Sequence, residues 1–389
     1  MNAATIVALA TLATLLAGTT APAAMFVVYR GAWALTTGDI GIVFAAYVGT
    51  LLPVLLCLGG VADRIGRRGA VAIGLALALS GLALLSVAGG TAALVVARLF
   101  QGAGMGIASG ALTAAFTETY RGRVAAGIWS NVASGVGVFL GPLMAATAFD
   151  RGAPLHAVYL PVAMVTVVCA CLLPLLPGRP SAHGGDAETP LPQRTVAAVL
   201  RFALPVTFVG WSGLSLFLSM VPAYLAATLH ATDPIVGAGV ISALQIASIG
   251  AALALRGWPP ERGGIGGAVA VVVGLTALVA GTALHGAAAW SLVALATLLV
   301  GAAGGVTFAA AISVANRVAR GQRARIFSRI FVASYLGFAA PSLLVGVIAA
   351  RSSLAIGFAV AIAALAAVAA ALPALRAGVA CAQQRVSVL

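Results

Sequence analysis

Apolar runs of about twenty residues recur along the whole chain, and no other feature constrains it as strongly. A helix needs about 20 apolar residues to cross roughly 30 Å of hydrocarbon. Twelve runs meet that length, at approximately 4–28, 40–60, 69–88, 92–116, 123–147, 154–176, 200–226, 235–256, 265–285, 288–313, 325–348 and 352–374. Hydrocarbon offers the backbone no hydrogen bonds, so each run predicts a helix that satisfies its own N–H and C=O groups. A membrane β-barrel would need alternating apolar and polar positions, and these are absent. Hydrophobic residues make up 62% of the chain and charged residues 7%, whereas a soluble domain is roughly 25% charged. The fold class is therefore an all-α integral membrane protein with twelve transmembrane helices.

The segment "APAA" at 21–24 resembles a signal-peptide cleavage site, but the "MNA" before the first run carries no positive charge. The first run therefore reads as a span. The long polar segment 177–198 divides the chain into a bundle over 1–177, a linker over 178–198, a bundle over 199–376 and a tail over 377–389. All 21 basic residues other than histidine are arginines. If the N-terminus is cytoplasmic, seventeen of them fall in cytoplasmic segments and three (Arg30, Arg151, Arg351) on the other side. That bias predicts cytoplasmic N- and C-termini. It also accounts for the net charge of +13 without nucleic acid, because the arginines are spread through loops and form no basic face.

The two halves resemble each other. At a shift of 199 residues, "QGAGMG" at 101–106 falls on "VGAAGG" at 300–305, "RG" at 121–122 on "RG" at 320–321, and Pro142 on Pro341. Within one residue of that shift, "DRIG" at 63–66 falls on "ERGG" at 261–264, and "PA" at 22–23 on "PA" at 222–223. The pattern predicts two parallel six-helix repeats, as in transporters with a site between two bundles.

Three motifs carry a resemblance. The loop "GGVADRIGRRGA" at 59–70 matches Gly-x-x-x-Asp-Arg-x-Gly-Arg-Arg at Gly59, Asp63, Arg64, Gly66, Arg67 and Arg68. "RLFQG" at 98–102 matches Arg-x-x-Gln-Gly, and "GVFLGP" at 137–142 matches Gly-x-x-x-Gly-Pro. On these residues the chain resembles the major facilitator superfamily, and within it the twelve-helix drug:proton antiporters. Leu143, Met144 and Ala145 stand where that group has a further Gly-Gly. The resemblance implies two pseudo-symmetric six-helix bundles that alternate access to a central cavity. It further implies a cytoplasmic latch formed by the loop, with Glu118 as a local partner for one of its arginines. Gly66 permits a tight turn, and Asp63 can face a helix N-terminus in the other half. A hinge at Gly137, Gly141 and Pro142 is also implied, where small residues allow close helix contact and proline bends the helix.

Arg98 lies inside the fourth run, where a charge costs about 2.5–3.5 kcal/mol by insertion scales. Gln101 and Met105 follow at i+3 and i+7 and share its face. By resemblance that face borders the cavity and handles protons or substrate. Tyr47, Asn131, Phe208, Trp211, Ser215, Gln245 and Tyr335 are further cavity candidates, each open to the plainer reading of helix packing. Tyr29, Trp33 and Trp290 read as interfacial belt residues.

The eight acids all lie in loops or at run ends, so no carboxylate is available mid-membrane as a proton carrier. The one buried charge being Arg98, a neutral or anionic amphiphile suits the cavity. The histidines are scattered and make no metal set, and the cysteines read as small apolar residues. No catalytic constellation and no cofactor fingerprint appear, so an enzyme is not expected. The reading is a monomeric secondary transporter in a bacterial inner membrane, exporting a small amphipathic molecule, with protons and lipid as its further partners. An importer on the same fold, or a non-transporting receptor, are the alternatives.

Overall fold

In the computed structural model, residues 2–58, 65–119, 123–176, 193–316 and 323–386 are described, and their regular structure is helical throughout. In chain order the helices are α1 (Ala3–Thr20), α2 (Pro22–Trp33), α3 (Thr37–Leu58), α4 (Arg67–Ser86), α5 (Thr91–Thr119), α6 (Arg123–Asp150) and α7 (Leu160–Cys171). They continue as α8 (Gln193–Ser219), α9 (Val221–Leu229), α10 (Pro234–Ala254), α11 (Pro260–Gly281), α12 (Gly286–Asn316), α13 (Arg323–Arg351) and α14 (Leu354–Val386). Hydroxyl side chains inside the spans bond back to their own helix. Thr11 donates to the Val7 carbonyl at 2.7 Å, and Thr297 donates to that of Val293 at 2.7 Å. This back-bonding removes the penalty of an unsatisfied hydroxyl in an apolar setting.

Eleven stretches among the described residues are long and apolar enough to span a membrane. The sixth predicted run, 154–176, differs from expectation. Its helix covers only the 12 residues Leu160–Cys171, followed by a 3₁₀ turn over Leu173–Leu175. At 1.5 Å per residue that helix reaches about 18 Å, short of the hydrocarbon thickness. Prolines explain it: Pro161 occupies the first turn and Pro174 sits in the 3₁₀ turn, and each removes a backbone donor.

The first span is interrupted rather than straight. It breaks at Ala21, with Pro22 opening α2. The same break recurs in the second half, where Met220 separates α8 from α9 and Pro222 occupies the first turn of α9. These are the "PA" pairs related by the 200-residue shift.

The helices form two compact units. The first comprises Met1–Ala182 together with Leu218–Gln245, and the second His183–Phe217 together with Ile246–Leu389. Within the first, α1 packs against α5, α6 and α7, and α3 and α4 pack on α5. Close backbone approach does much of this. A Cβ at Gly102 would collide with the Tyr47 carbonyl of α3. One at Gly137 would strike the Ala13 carbonyl of α1, and one at Gly141 that of Ala17. A small cluster of Ala24, Ala146 and Ala238, with Ile235 against it, is also part of this unit. Within the second unit, α11 and α12 pair closely and α14 lies against both α11 and α13. Gly337 of α13 sits against the backbone of Phe208 on α8.

Gly141→Ala is expected to lower stability by about 1–3 kcal/mol through overpacking against α1. Gly49→Ala, where a Cβ would meet nothing within 4 Å, is expected to be neutral or slightly stabilising. Thermal unfolding of the two variants in the same detergent measures both.

Candidate functional site

Pro22 creates the site. In a continuous helix the Gly18 carbonyl would accept from residue 22, and proline has no N–H to give. Gly18 and Thr19 thus lie in the last turn of α1, where carbonyls lack helical partners. Two side chains from α5 supply donors. Gln101 Nε2 donates to the Gly18 carbonyl at 2.9 Å. Arg98 Nη1 donates to the Thr19 carbonyl and, at 2.9 Å, to Gln101 Oε1. The three groups close a chain from guanidinium through amide to backbone.

The pair is deeply enclosed: Arg98 is 3% exposed and Gln101 1%. The guanidinium carbon lies 5.0 Å from the Tyr47 ring centroid and 5.6 Å from that of Phe44. Cation–π attraction offsets part of the desolvation of such a charge. Arg98 Nε has no hydrogen-bond partner among the described residues. The expected face Arg98–Gln101–Met105 is real as a face, and Met105 is also buried. Tyr47 joins it. Phe44 and the Gly18 and Thr19 carbonyls were not anticipated; Pro22, four residues beyond Gly18, was the signal that could have found them.

Tyr29 departs from its expected place in an interfacial belt. It is 1% exposed, its hydroxyl is hydrogen-bonded to that of Tyr159, and its ring stacks on Trp33 at 4.4 Å. A buried hydroxyl needs a partner, and the other tyrosine supplies it.

Several loop residues lie outside the described residues: Gly59, Asp63 and Arg64 altogether, and Glu118 and Asn131 in their side chains. Of the rest, Gly66 has φ 80° and precedes α4, a conformation that suits glycine. Arg68 Nη2 donates to the carbonyls of Pro174 and Leu176, each at 2.7 Å. Its guanidinium therefore caps the end of the sixth run, within the first unit, where carbonyls are left over.

The remaining candidates fall in two places. Gln245 is half-buried on α10, within the first unit. Phe208, Trp211, Ser215 and Tyr335 belong to the second. There Trp211 meets Tyr335 at 5.2 Å, Phe308 at 5.6 Å and Phe338 at 5.9 Å between ring centroids. Ser215 is spent on packing: it bonds to the Phe338 carbonyl and to the Ser342 hydroxyl.

Residues 6–279 match the family model of the Major Facilitator Superfamily. The chain belongs to that superfamily. Two solved structures share its fold. A bacterial homolog of the human lysosomal transporter Spinster, inward-facing and unoccupied, aligns over 98% of this chain and 96% of its own at TM-score 0.70 and 14% identity. The nucleoside transporter NupG aligns over 95% and 98% at TM-score 0.73 and 13% identity. No curated protein matches the chain in sequence. Family and fold are those of a multi-pass membrane transporter that takes small molecules, rather than of an enzyme.

In this transporter, Gln101→Leu is expected to cost about 1–3 kcal/mol by stranding buried oxygens. Pro22→Ala restores an N–H that can reach Gly18, so the same change should cost less in that background. A double-mutant cycle from unfolding midpoints is expected to show coupling of about 1 kcal/mol. Additive effects would mean that the amide does not serve the break.

Proposed function

We propose that the chain is a secondary active exporter of a small neutral or anionic amphiphile, coupled to protons, working by alternating access as a monomer in a bacterial inner membrane. The observation that carries the substrate class is electrostatic. Arg98 is enclosed with carbonyl and amide oxygens, while each carboxylate with a described side chain sits at a helix end. Asp39 bonds to Thr36 before α3, and Asp233 accepts from the Ile235 N–H at the start of α10. Asp150 ends α6 and Glu261 opens α11. A cationic drug would find no buried counter-charge among these groups.

Export and proton coupling rest on the loop and Gly-x-x-x-Gly-Pro motifs, which resemble those of the drug:proton antiporters. A twelfth span rests on the apolar length of the run 154–176 rather than on the short α7, and the arginine bias supports cytoplasmic termini. In this reading Gly59, Asp63, Arg64, Gly66, Arg67, Arg68 and Glu118 form the latch, with Arg68 anchoring it on the sixth run. Gly137, Gly141 and Pro142 act as the hinge of α6.

Everted membrane vesicles energised to an acid interior test the reading. Neutral and anionic amphiphiles are expected to dissipate the gradient in proportion to their uptake, while ethidium, a cation, leaves it unchanged. Uptake indifferent to both the pH gradient and an uncoupler would exclude proton coupling. Accumulation confined to right-side-out vesicles would reverse the direction.

A further inference from the structure

Residues Leu218–Gln245 lie in the second sequence repeat but pack with the first unit. Helix α9 meets α2, and the opening turns of α10 lie on α6. Ala238 joins the fully buried cluster of Ala24 and Ala146, with Ile235 against it. One turn further along α10, Ser242 is buried, and its hydroxyl donates to the Phe139 carbonyl of α6 at 3.4 Å. The two contacts fit an antiparallel pair: α10 steps from 238 to 242 while α6 steps from 146 back to 139. Ile235, Ala238 and Ser242 are spaced three and four apart, one stripe of a helix. Phe139 lies two residues from both Gly137 and Gly141, on the opposite side of α6. That helix is therefore held between α1, which meets the glycines, and α10.

A hydroxyl inside a membrane helix commonly bonds back to its own preceding turn. Thr147 does so on α6, to Leu143, and Thr228 on α9, to Tyr224, each at 2.7 Å. Among the described residues Ser242 makes no such bond within α10, and its partner is on α6. That partner stands three residues before Pro142, which has no N–H and loosens the helical ladder around it. The second repeat meets the same need internally. Phe338 is the counterpart of Phe139 at the 199-residue shift and stands three residues before Pro341. Its carbonyl accepts from Ser215 of α8. The counterpart of Ser215 in the first repeat is Leu16, which has no hydroxyl. The first repeat therefore takes its donor from α10.

We propose that Ser242 is a positioning residue of the transport cycle: its hydroxyl holds the Phe139 carbonyl while α10 is seated on α6, and releases it when α10 lifts away. The Ser215 bond lies within one repeat and is kept throughout. At 3.4 Å the Ser242 bond is long for a hydroxyl donor, so it biases the seated arrangement without locking it. The inference rests on the alternating-access reading for the parting of the two helices, but not for the seated contact.

The test is the rate of N-ethylmaleimide labelling of Ala146→Cys in the full chain, held in phosphatidylcholine nanodiscs, with the native cysteines changed to serine. Ala146 is 1% exposed and packed with Ala238, so a thiol there reacts when α10 lifts. Ala97→Cys is equally buried, but where α5 meets Gly81 of α4, and reports general loosening. Ser242→Ala is expected to raise the Ala146→Cys rate about threefold or more, as the loss of one modest hydrogen bond implies. The Ala97→Cys rate should stay unchanged. Ser242→Thr keeps a hydroxyl and should hold both rates near those of the parent. The proposal is overturned by equal Ala146→Cys rates with serine and alanine at 242, by a parallel rise at both thiols, or by threonine behaving as alanine. Uptake into everted vesicles separates the two readings. Labelling that follows Ser242 in a chain that takes up no amphiphile keeps the contact and removes the transport role. Uptake alongside labelling that ignores Ser242 overturns the inference and leaves the transport role standing.

Discussion

A carbonyl oxygen inside hydrocarbon that loses its helical donor must find another, and in this chain one such oxygen organises the first unit. Pro22 strands the Gly18 carbonyl, and Gln101 reaches across from α5 to meet it. Arg98 then completes the amide's second hydrogen bond and takes the Thr19 carbonyl as well. A guanidinium is suited to this because it offers five donors in a fixed fork and stays charged. The charge that insertion would penalise is what makes the broken span tolerable. A break in the first span and a cation in the fourth are thus one structural unit rather than two features.

The repeats share the break but not its remedy. Pro222 reproduces Pro22 at the opening of α9, yet the 199-residue shift places Thr297 where Arg98 stands and Val300 where Gln101 stands. Thr297 turns its hydroxyl to the Val293 carbonyl of its own helix. The two halves therefore carry different polar chemistry on a common backbone plan. The first concentrates its charge on an interrupted helix. The second has no charged side chain on the middle turns of α8, α12 or α13 and fills that level with aromatic rings. Close contacts such as Gly141 on α1 and Gly337 on α8 hold the backbones within each unit.

Much of the architecture was legible because membrane spans are written in composition, where a run of twenty apolar residues has few other fates. The sixth run shows the limit: Pro154, Pro161 and Pro174 lie inside an apolar stretch, and hydrophobicity alone does not register their missing donors. The shared Arg98–Gln101–Met105 face was readable from helical spacing. What Arg98 touches was not, since its partners are main-chain oxygens, which every residue has. Only the spacing of Pro22 from Gly18 marks which oxygens are stranded. Tyr29 misled because an amphipathic ring near a span end suits a headgroup layer as well as a buried hydroxyl pair; Tyr159, 130 residues away, decides between them.

The placement of Arg68 follows the same rule as that of Arg98. The sixth run ends early and leaves the Pro174 and Leu176 carbonyls without helical successors, and Arg68 meets both. In each case an arginine from one helix bonds main-chain carbonyls near the end of another. The loop motif and the fourth-span motif, though far apart in sequence and different in consensus, therefore each supply an arginine to a helix end. A loop arginine held this way is fixed in position by two carbonyls of its own unit. The glycine at φ 80° immediately before α4 lets the chain turn sharply into the helix that carries Arg68, a conformation that costs glycine little.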